Sequence, residues 1–537
     1  PAFHRHAEAT TAELFYDLFF VANLTTFTSL QEINNHQTLT AYIGFFSLLW
    51  LTWYSVSLYD VRFSSDSVFE RVAKAIHFGV MVGFAVIGPS WKPGEEEDDY
   101  KVWRAFGFIL MVSRITLASQ YAVTLWYTKK YKRTIIPLAL IVASSLVAAI
   151  IYGALTAGFP KTQYDANEVA IPKKSQVYIG WYIIGIFEII VTIGVSSVWR
   201  VISFKGTHFV QRMSLLTLII LGEGIIVICK AISKIVKNDF LWTAAVVGQV
   251  IAAVSIIYFL YMLYFDRMQE EHFGSIKQQI WSFLHFPLHI TLVLVLQGIS
   301  ILVIWQQLQQ ALIEFLSLLN ADLLDDTTYT DAETYAGTLW ATTQNYVFQN
   351  TIPKGVDITK ANQTVSDAYY TILYNYDNMD ISDGNIGNQT AYKLVSDATA
   401  DMFTASSSAL FDLFGISLPK EKGKKVKKVG AEAFESTIDS YAKVFELVFI
   451  YVFVAGGLAL ILTTVLGFLS LPKHERKLST YIRMGVNGAF GLGLCLVTLI
   501  KFDALDEANY LFSAWMIPTI CIILFLCVIV NHAHLPK

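Results

Sequence analysis

Mostly apolar stretches of membrane-spanning length recur twelve times along the chain, and that pattern limits it to one class of fold. A bilayer core about 30 Å thick takes about 20 such residues per helix. By that measure the segments lie near 13–30, 39–59, 68–89, 102–127, 134–157, 177–199, 208–232, 240–265, 278–304, 443–470, 480–501 and 508–531. They predict an all-α polytopic membrane protein. The composition agrees, with 54% hydrophobic residues, 14% aromatic residues and a mean hydropathy of +0.49. A net charge of −4 argues against a nucleic-acid partner, which leaves the lipid bilayer as the first expected partner. Cys229, Cys495, Cys521 and Cys527 all fall within apolar runs, so neither a disulfide framework nor a zinc set is expected, and no cofactor is implied.

Orientation is read from lysine and arginine in the short loops. With the N-terminus inside, the inner loops carry 16 of them and the short outer loops 10, which places both termini in the cytoplasm. Residues 306–442 then lie outside. They hold two glycosylation sequons, at Asn362 and Asn388, which have meaning only on a lumenal or extracellular face. The amphipathic spacing of "QQALIEFLSLLNADLL" makes this insert a small helical cap. Either the plasma membrane or an endomembrane fits, and a homo-oligomer is compatible with the sequence.

"WYSVSLYDVRFSSDSVFERVAKAIHFGVM" and "YFLYMLYFDRMQEEHFGSIKQQIWSFLHFPLHI" share a pattern: Asp60, Arg62 and His77 in the first, Asp266, Arg267 and His285 in the second. Asp17 precedes Asp60 by 43 residues, and Glu223 precedes Asp266 by the same 43. Six segments separate the copies. The expected architecture is therefore two parallel six-helix repeats, 1–205 and 206–537, with the cap inserted after the third helix of the second.

"ELFYDLFFV", "FFSLLWLTWYSVSLYDVRFSSD", "HFVQRMSLLTLIILGEGIIVI", "YFDR" and "HFPLH" together resemble the low temperature requirement A (LtrA) family of bacterial and fungal membrane proteins. The resemblance covers roughly residues 12–305 and weakens over the last three helices. It implies a polytopic membrane fold, and the family name records growth in the cold rather than a chemistry. "FYDLFFVANLTT" is also similar to the opening helix of the endolysosomal two-repeat potassium and proton channels, where a Phe-x-Asp opens each repeat and the helix lines the pore. One helix of likeness does not transfer function.

Ionisable residues near the bilayer centre cost about 2.5–3.5 kcal/mol each on insertion scales, so they normally face a bundle interior or water. Glu13 and Asp17 are four residues apart and share a face, with Asn23 at its edge; Arg212 and Glu223 share a face of the seventh segment. The preferred reading is a polar path for a small ion, a proton or monovalent cation, through the centre of the bundle. Asp17 and Glu223 are placed at one depth, with Asp60, Asp266, Glu13, Asn23 and Arg212 as further candidates. For Glu13 a structural bond is favoured. A rival reading is a lipid-modifying metal hydrolase built on His285, His289 and His77, with HxxxH supplying two imidazoles on one face. HxxxH is a weak signal, because such histidines more often hydrogen-bond in packing. A third is a structural or lipid-organising protein. No catalytic residue is assigned, and an enzyme is the less favoured class.

Overall fold

The computed structural model describes residues 9–165, 170–204, 207–236, 243–268, 275–324, 331–352, 356–379, 381–382, 385–418, 430–472 and 476–533. Helices dominate. In the first part of the chain they are α1 (Thr11–Leu30), α2 (His36–Phe63), α3 (Val68–Ile87), α4 (Lys101–Thr128), α5 (Lys132–Ala157) and α6 (Ile179–Val198). Then come α7 (Phe209–Val236), α8 (Ala244–Phe265) and α9 (Ser275–Leu324). The insert contributes α10 (Ala332–Thr343), α11 (Thr359–Asn375) and α12 (Gln389–Leu413), and the chain closes with α13 (Ala431–Ser470), α14 (Leu478–Val497), α15 (Ala504–Leu511) and α16 (Met516–His532).

Among the described residues ten helices are long and apolar enough to cross a membrane, or eleven if the bent pair α15–α16 is one span. This is an all-α polytopic membrane protein, though fewer of its helices meet the measure than the twelve segments expected. α1 is the helix that falls short, because Glu13, Asp17, Asn23 and its threonines dilute the apolar residues. The segment expected as a single span at 508–531 is broken, with α15 and α16 meeting at 80°.

Two helices run well past membrane thickness. α9 has 50 residues and α13 has 40, about 75 and 60 Å at 1.5 Å per residue. The stretch "QQALIEFLSLLNADLL" is therefore the continuation of a membrane helix rather than a separate one. α9 and α13 pack side by side, and Gly298 permits it: a Cβ there would collide with Val452 and Tyr451 of α13.

α2 is the most enclosed helix, with Trp50, Trp53 and Tyr54 fully buried. α1 packs against α3 and α7, and α7 against α9. The starts of these helices are set by local signals. Thr10 caps α1 in a capping box, accepting from Glu13 N while the Glu13 side chain accepts from Thr10 N, and Ser67 caps α3. A short antiparallel pair joins β1 (Glu96–Glu97) to β2 (Lys173–Lys174), setting Glu96 opposite Lys174 and Glu97 opposite Lys173.

Candidate functional site: the seam between α1 and α7

α1 and α7 lie alongside each other, and their facing residues form a ladder of polar pairs. At one end His208 Nε2 lies 3.1 Å from Glu13. One turn on, Arg212 reaches Asp17 at 3.3 Å, Asp60 of α2 at 3.4 Å and Glu13 at 3.6 Å. Trp53 Nε1 donates to Asp17 Oδ1 at 2.7 Å, and the guanidinium lies 5.5 Å from the Trp53 ring centre. Lys74 of α3 lies 3.3 Å from Asp60. Farther along, Thr25 donates to Glu223 at 2.5 Å, and Lys230 donates to Ser29 at 3.2 Å. Both helices therefore run in the same direction with matched faces.

The first cluster is buried: Glu13, Asp17, Asp60 and Arg212 are all at most 3% exposed. Three carboxylates face two fixed cations, Arg212 and Lys74. Buried charge is tolerated only when compensated, and Arg212, Lys74 and His208 are the basic neighbours of these acids.

Between this cluster and Glu223 both helices carry buried apolar residues, with Phe20 packed on Phe46 and Trp53 of α2. Phe20 and Leu24 of α1 and Leu216 and Ile220 of α7 are each no more than 1% exposed. Eight residues separate Asp17 from Thr25, the partner of Glu223, which is about 12 Å along a helix axis. The expectation that Asp17 and Glu223 lie at one depth is corrected: the offset arises from how α1 and α7 pack, which equal sequence spacing to the next helix does not determine. Arg212 and Glu223 do not pair either, since Arg212 is taken up by three acids.

Other predicted residues fall outside the seam. Asn23 turns toward α3, donating to Met81 O at 3.0 Å, and so locks two helices. Asp266 is 41% exposed at the end of α8, with His532 at 3.3 Å, and does not join Asp60. A separate buried ion pair joins Glu188 of α6 to Arg114 of α4 at 2.5 Å.

The histidines are not assembled for a metal. Among the described residues no three His, Cys, Asp or Glu side chains form a ligand set. His285 Nδ1 donates to Trp281 O at 2.8 Å, leaving Nε2 to accept from Tyr264 at 2.7 Å. His289 Nδ1 accepts from Trp50 Nε1 at 3.0 Å, and its Nε2 bonds Thr217 at 2.8 Å. Every ring nitrogen of the pair is engaged, so no lone pair remains for a cation. His77 is on another wall, where its Nε2 meets Gln120 at 2.9 Å and Gln120 donates to Glu70.

Sequence reasoning missed three members of the cluster: His208, Lys74 and Trp53. Trp50 and Trp53 are both buried in α2, and each indole N–H serves a buried polar group, His289 and Asp17 respectively. An excess of acid over base around Arg212 is the signal that would have pointed to Lys74 and His208.

Beyond the seam's far end lies a chamber of about 270 Å³. Its walls include Ser29, Lys230, Lys234, Gln297 and Ser300, and its roof is the turn Gly415–Ser417 after α12. Gly415 has φ +73°, and a Cβ there would collide with Lys234 Nζ, which donates to Phe414 O at 3.3 Å. Ser417 is tied to Glu32, its Oγ donating at 2.7 Å, and its carbonyl accepts from Asn34 at 3.1 Å.

No curated protein and no solved structure matches this chain. The family model for the bacterial low temperature requirement A protein (LtrA) matches residues 8–320, from the start of α1 through nearly all of α9; with well over half its length matched, the chain belongs to the LtrA family.

Proposed function

We propose that the protein passes a small ion, a proton or a monovalent cation, along the α1–α7 seam, as a proton-coupled transporter or a channel closed at mid-membrane. One observation supports this: α1 and α7 run parallel, with polar pairs at two levels about 12 Å apart along the helix axis and buried apolar residues between them. A continuous polar column would be an open pore. A column plugged by Phe20, Leu24, Leu216 and Ile220 suits a path that opens to one side at a time.

The two-repeat architecture fits this reading. α1 packs on α3 and α7 on α9; α2 on α6 and α8 on α16; α3 on α4 and α9 on α13; α4 on α5 and α13 on α14. Contacts of the same kind occur in the two stretches of chain, and α1 packs against α7, which is the arrangement two six-helix repeats would give. In this architecture α1 is a span despite its carboxylates, α15 and α16 together make the twelfth, the termini are cytoplasmic and the insert is outside.

Flux into proteoliposomes under imposed K⁺ and pH gradients tests the proposal, comparing wild type with Asp17→Asn and Glu223→Gln. Flux that falls at least tenfold in both folded variants supports the path. Absence of flux in every gradient sinks it and leaves the buried charges as fasteners between helices, the reading favoured by the three-way grip of Asp17, Asp60 and Glu13 on Arg212.

A further inference from the structure

The "YFDR" segment, which takes no part in the seam, helps to build a separate pocket of about 380 Å³. Four helix ends converge there: α8, α13 and α16 finish beside it and α14 begins beside it. None of its lining residues belongs to α1 or α7. A pocket where spanning helices end lies at the level of the lipid headgroups. Tyr481, exposed on α14 with its ring 5.8 Å from that of Phe468, stands where an interfacial aromatic belongs.

Arg267 and Arg483 both line this pocket. Arg267 is fixed by α13: Ser470 Oγ donates to its carbonyl at 3.2 Å, and Gly467 makes room for its stem, which a Cβ there would meet at 3.2 Å. Its guanidinium is held by neutral amides, Asn531 Oδ1 accepting from Nη2 and the Asn487 oxygen, turned toward it, accepting from Nη1 at 3.1 Å. Arg483 donates from Nη2 to the Ala533 carbonyl. Neither guanidinium has a carboxylate partner among the described residues, because Asp266, the acid in the lining, lies against His532 at 3.3 Å. A third arginine, Arg476, stands 4.4 Å over the Phe468 ring. Three arginines therefore stand at the pocket against one carboxylate. The rest of the wall, Met262, Leu263, Met484 and Val528 among it, is apolar. Guanidinium charge without a counter-ion, beside an apolar wall at headgroup level, suits a phosphate that carries acyl chains.

We propose that this pocket binds an anionic phospholipid, with its phosphate between Arg267 and Arg483. A zwitterionic headgroup brings a cation of its own, which the excess of arginine disfavours. Ile482 and Ile529, exposed on the adjoining α14 and α16, offer lipid-facing surface to the acyl chains. The site is independent of the proposed ion path, with which it shares no residue.

The test is native mass spectrometry of the purified full chain in detergent, titrated with dioleoyl phosphatidylglycerol, dioleoyl phosphatidylcholine or inorganic phosphate. Saturable retention of phosphatidylglycerol is expected, at least tenfold tighter than phosphatidylcholine and undisturbed by excess inorganic phosphate. Arg267→Gln with Arg483→Gln should weaken phosphatidylglycerol at least tenfold, the worth of one hydrogen bond to a charged group. Arg71→Gln, at an exposed pair with Asp66, should leave it unchanged. Should the paired variant not fold, Arg483→Gln alone decides, because it gives up only the bond to the Ala533 carbonyl. The proposal is overturned by a monodisperse protein that retains no lipid saturably, by equal retention of phosphatidylcholine, by unchanged binding in the arginine variant, or by an equal loss in Arg71→Gln. Displacement of the lipid by inorganic phosphate would also overturn it and make the pocket a site for the free anion.

Discussion

At the scale of single residues, Arg212 and Glu223 make opposite demands on the fold. Arg212 is the shared partner of Glu13, Asp17 and Asp60, so Arg212→Gln leaves three buried acids with only Lys74 and His208 as basic neighbours. Removing one side of a buried ion pair costs about 3–5 kcal/mol, and a severe loss of thermal stability in detergent is expected. Glu223 accepts one hydrogen bond, from Thr25, and a glutamine oxygen can accept it too. Glu223→Gln should shift stability by less than about 1 kcal/mol. Melting curves of the two variants check the contrast: equal losses would show that Glu223 is as structural as Arg212. The residues also show which of their roles could be read in advance. Glu13, favoured for a structural bond, caps α1 and meets His208, whereas the role of Trp53 is visible only where its indole meets Asp17.

At the scale of elements, the insert meets the membrane helices through a small polar latch, Ser417 with Glu32 and Asn34. Asp412, near the end of α12, has its acid pushed up to about 6 by burial and then by the nearby Glu32 carboxylate. A raised folded-state pKa favours the protonated form of the folded protein. The stabilisation is therefore fully present below the ordinary carboxylate pKa near 4 and is lost as pH rises through about 6. Asp412→Asn should accordingly stabilise the protein at pH 7.5, by about 1–2 kcal/mol after solvent screening, and have little effect near pH 4. Melting temperatures of both proteins across that range measure the effect, and a gain that persists unchanged at pH 4 would contradict the electrostatic cause. The insert also exposes a limit of reading spans by length. Hydropathy marks where α9 and α13 lie in lipid, but a helix need not end where the bilayer does, and both continue as stalks that support α10, α11 and α12.

For the whole molecule, orientation is the property on which the proposed function depends. Asn362 is exposed on α11, and Asn388 caps α12 by accepting from Ala391 N at 3.2 Å through its Oδ1. In both, the amide nitrogen that carries a glycan is accessible. Expressed in a host that glycosylates secreted proteins, the chain should carry glycans removable by endoglycosidase, with one lost in each of Asn362→Gln and Asn388→Gln. An unmodified chain in such a host would reverse the proposed orientation and place the lysine-lined chamber on the cytoplasmic side.

The amino-acid sequence by itself determined the fold class, the position of nearly every membrane helix, the helical character of the insert and the family, because hydrophobic runs and short motifs are local properties of the chain. It also marked Asp17, Asp60, Arg212 and Glu223, since a charge inside an apolar run is costly wherever the helix packs. Tertiary structure alone decided their partners. Whether Asp17 meets Arg212 or Glu223 depends on the stagger of α1 against α7, which is set by packing across some two hundred residues of intervening chain. The same is true of the histidines, whose lone pairs are taken by Trp50 and Tyr264, and of the chamber, which exists only because the end of α12 folds back over the ends of α1 and α7.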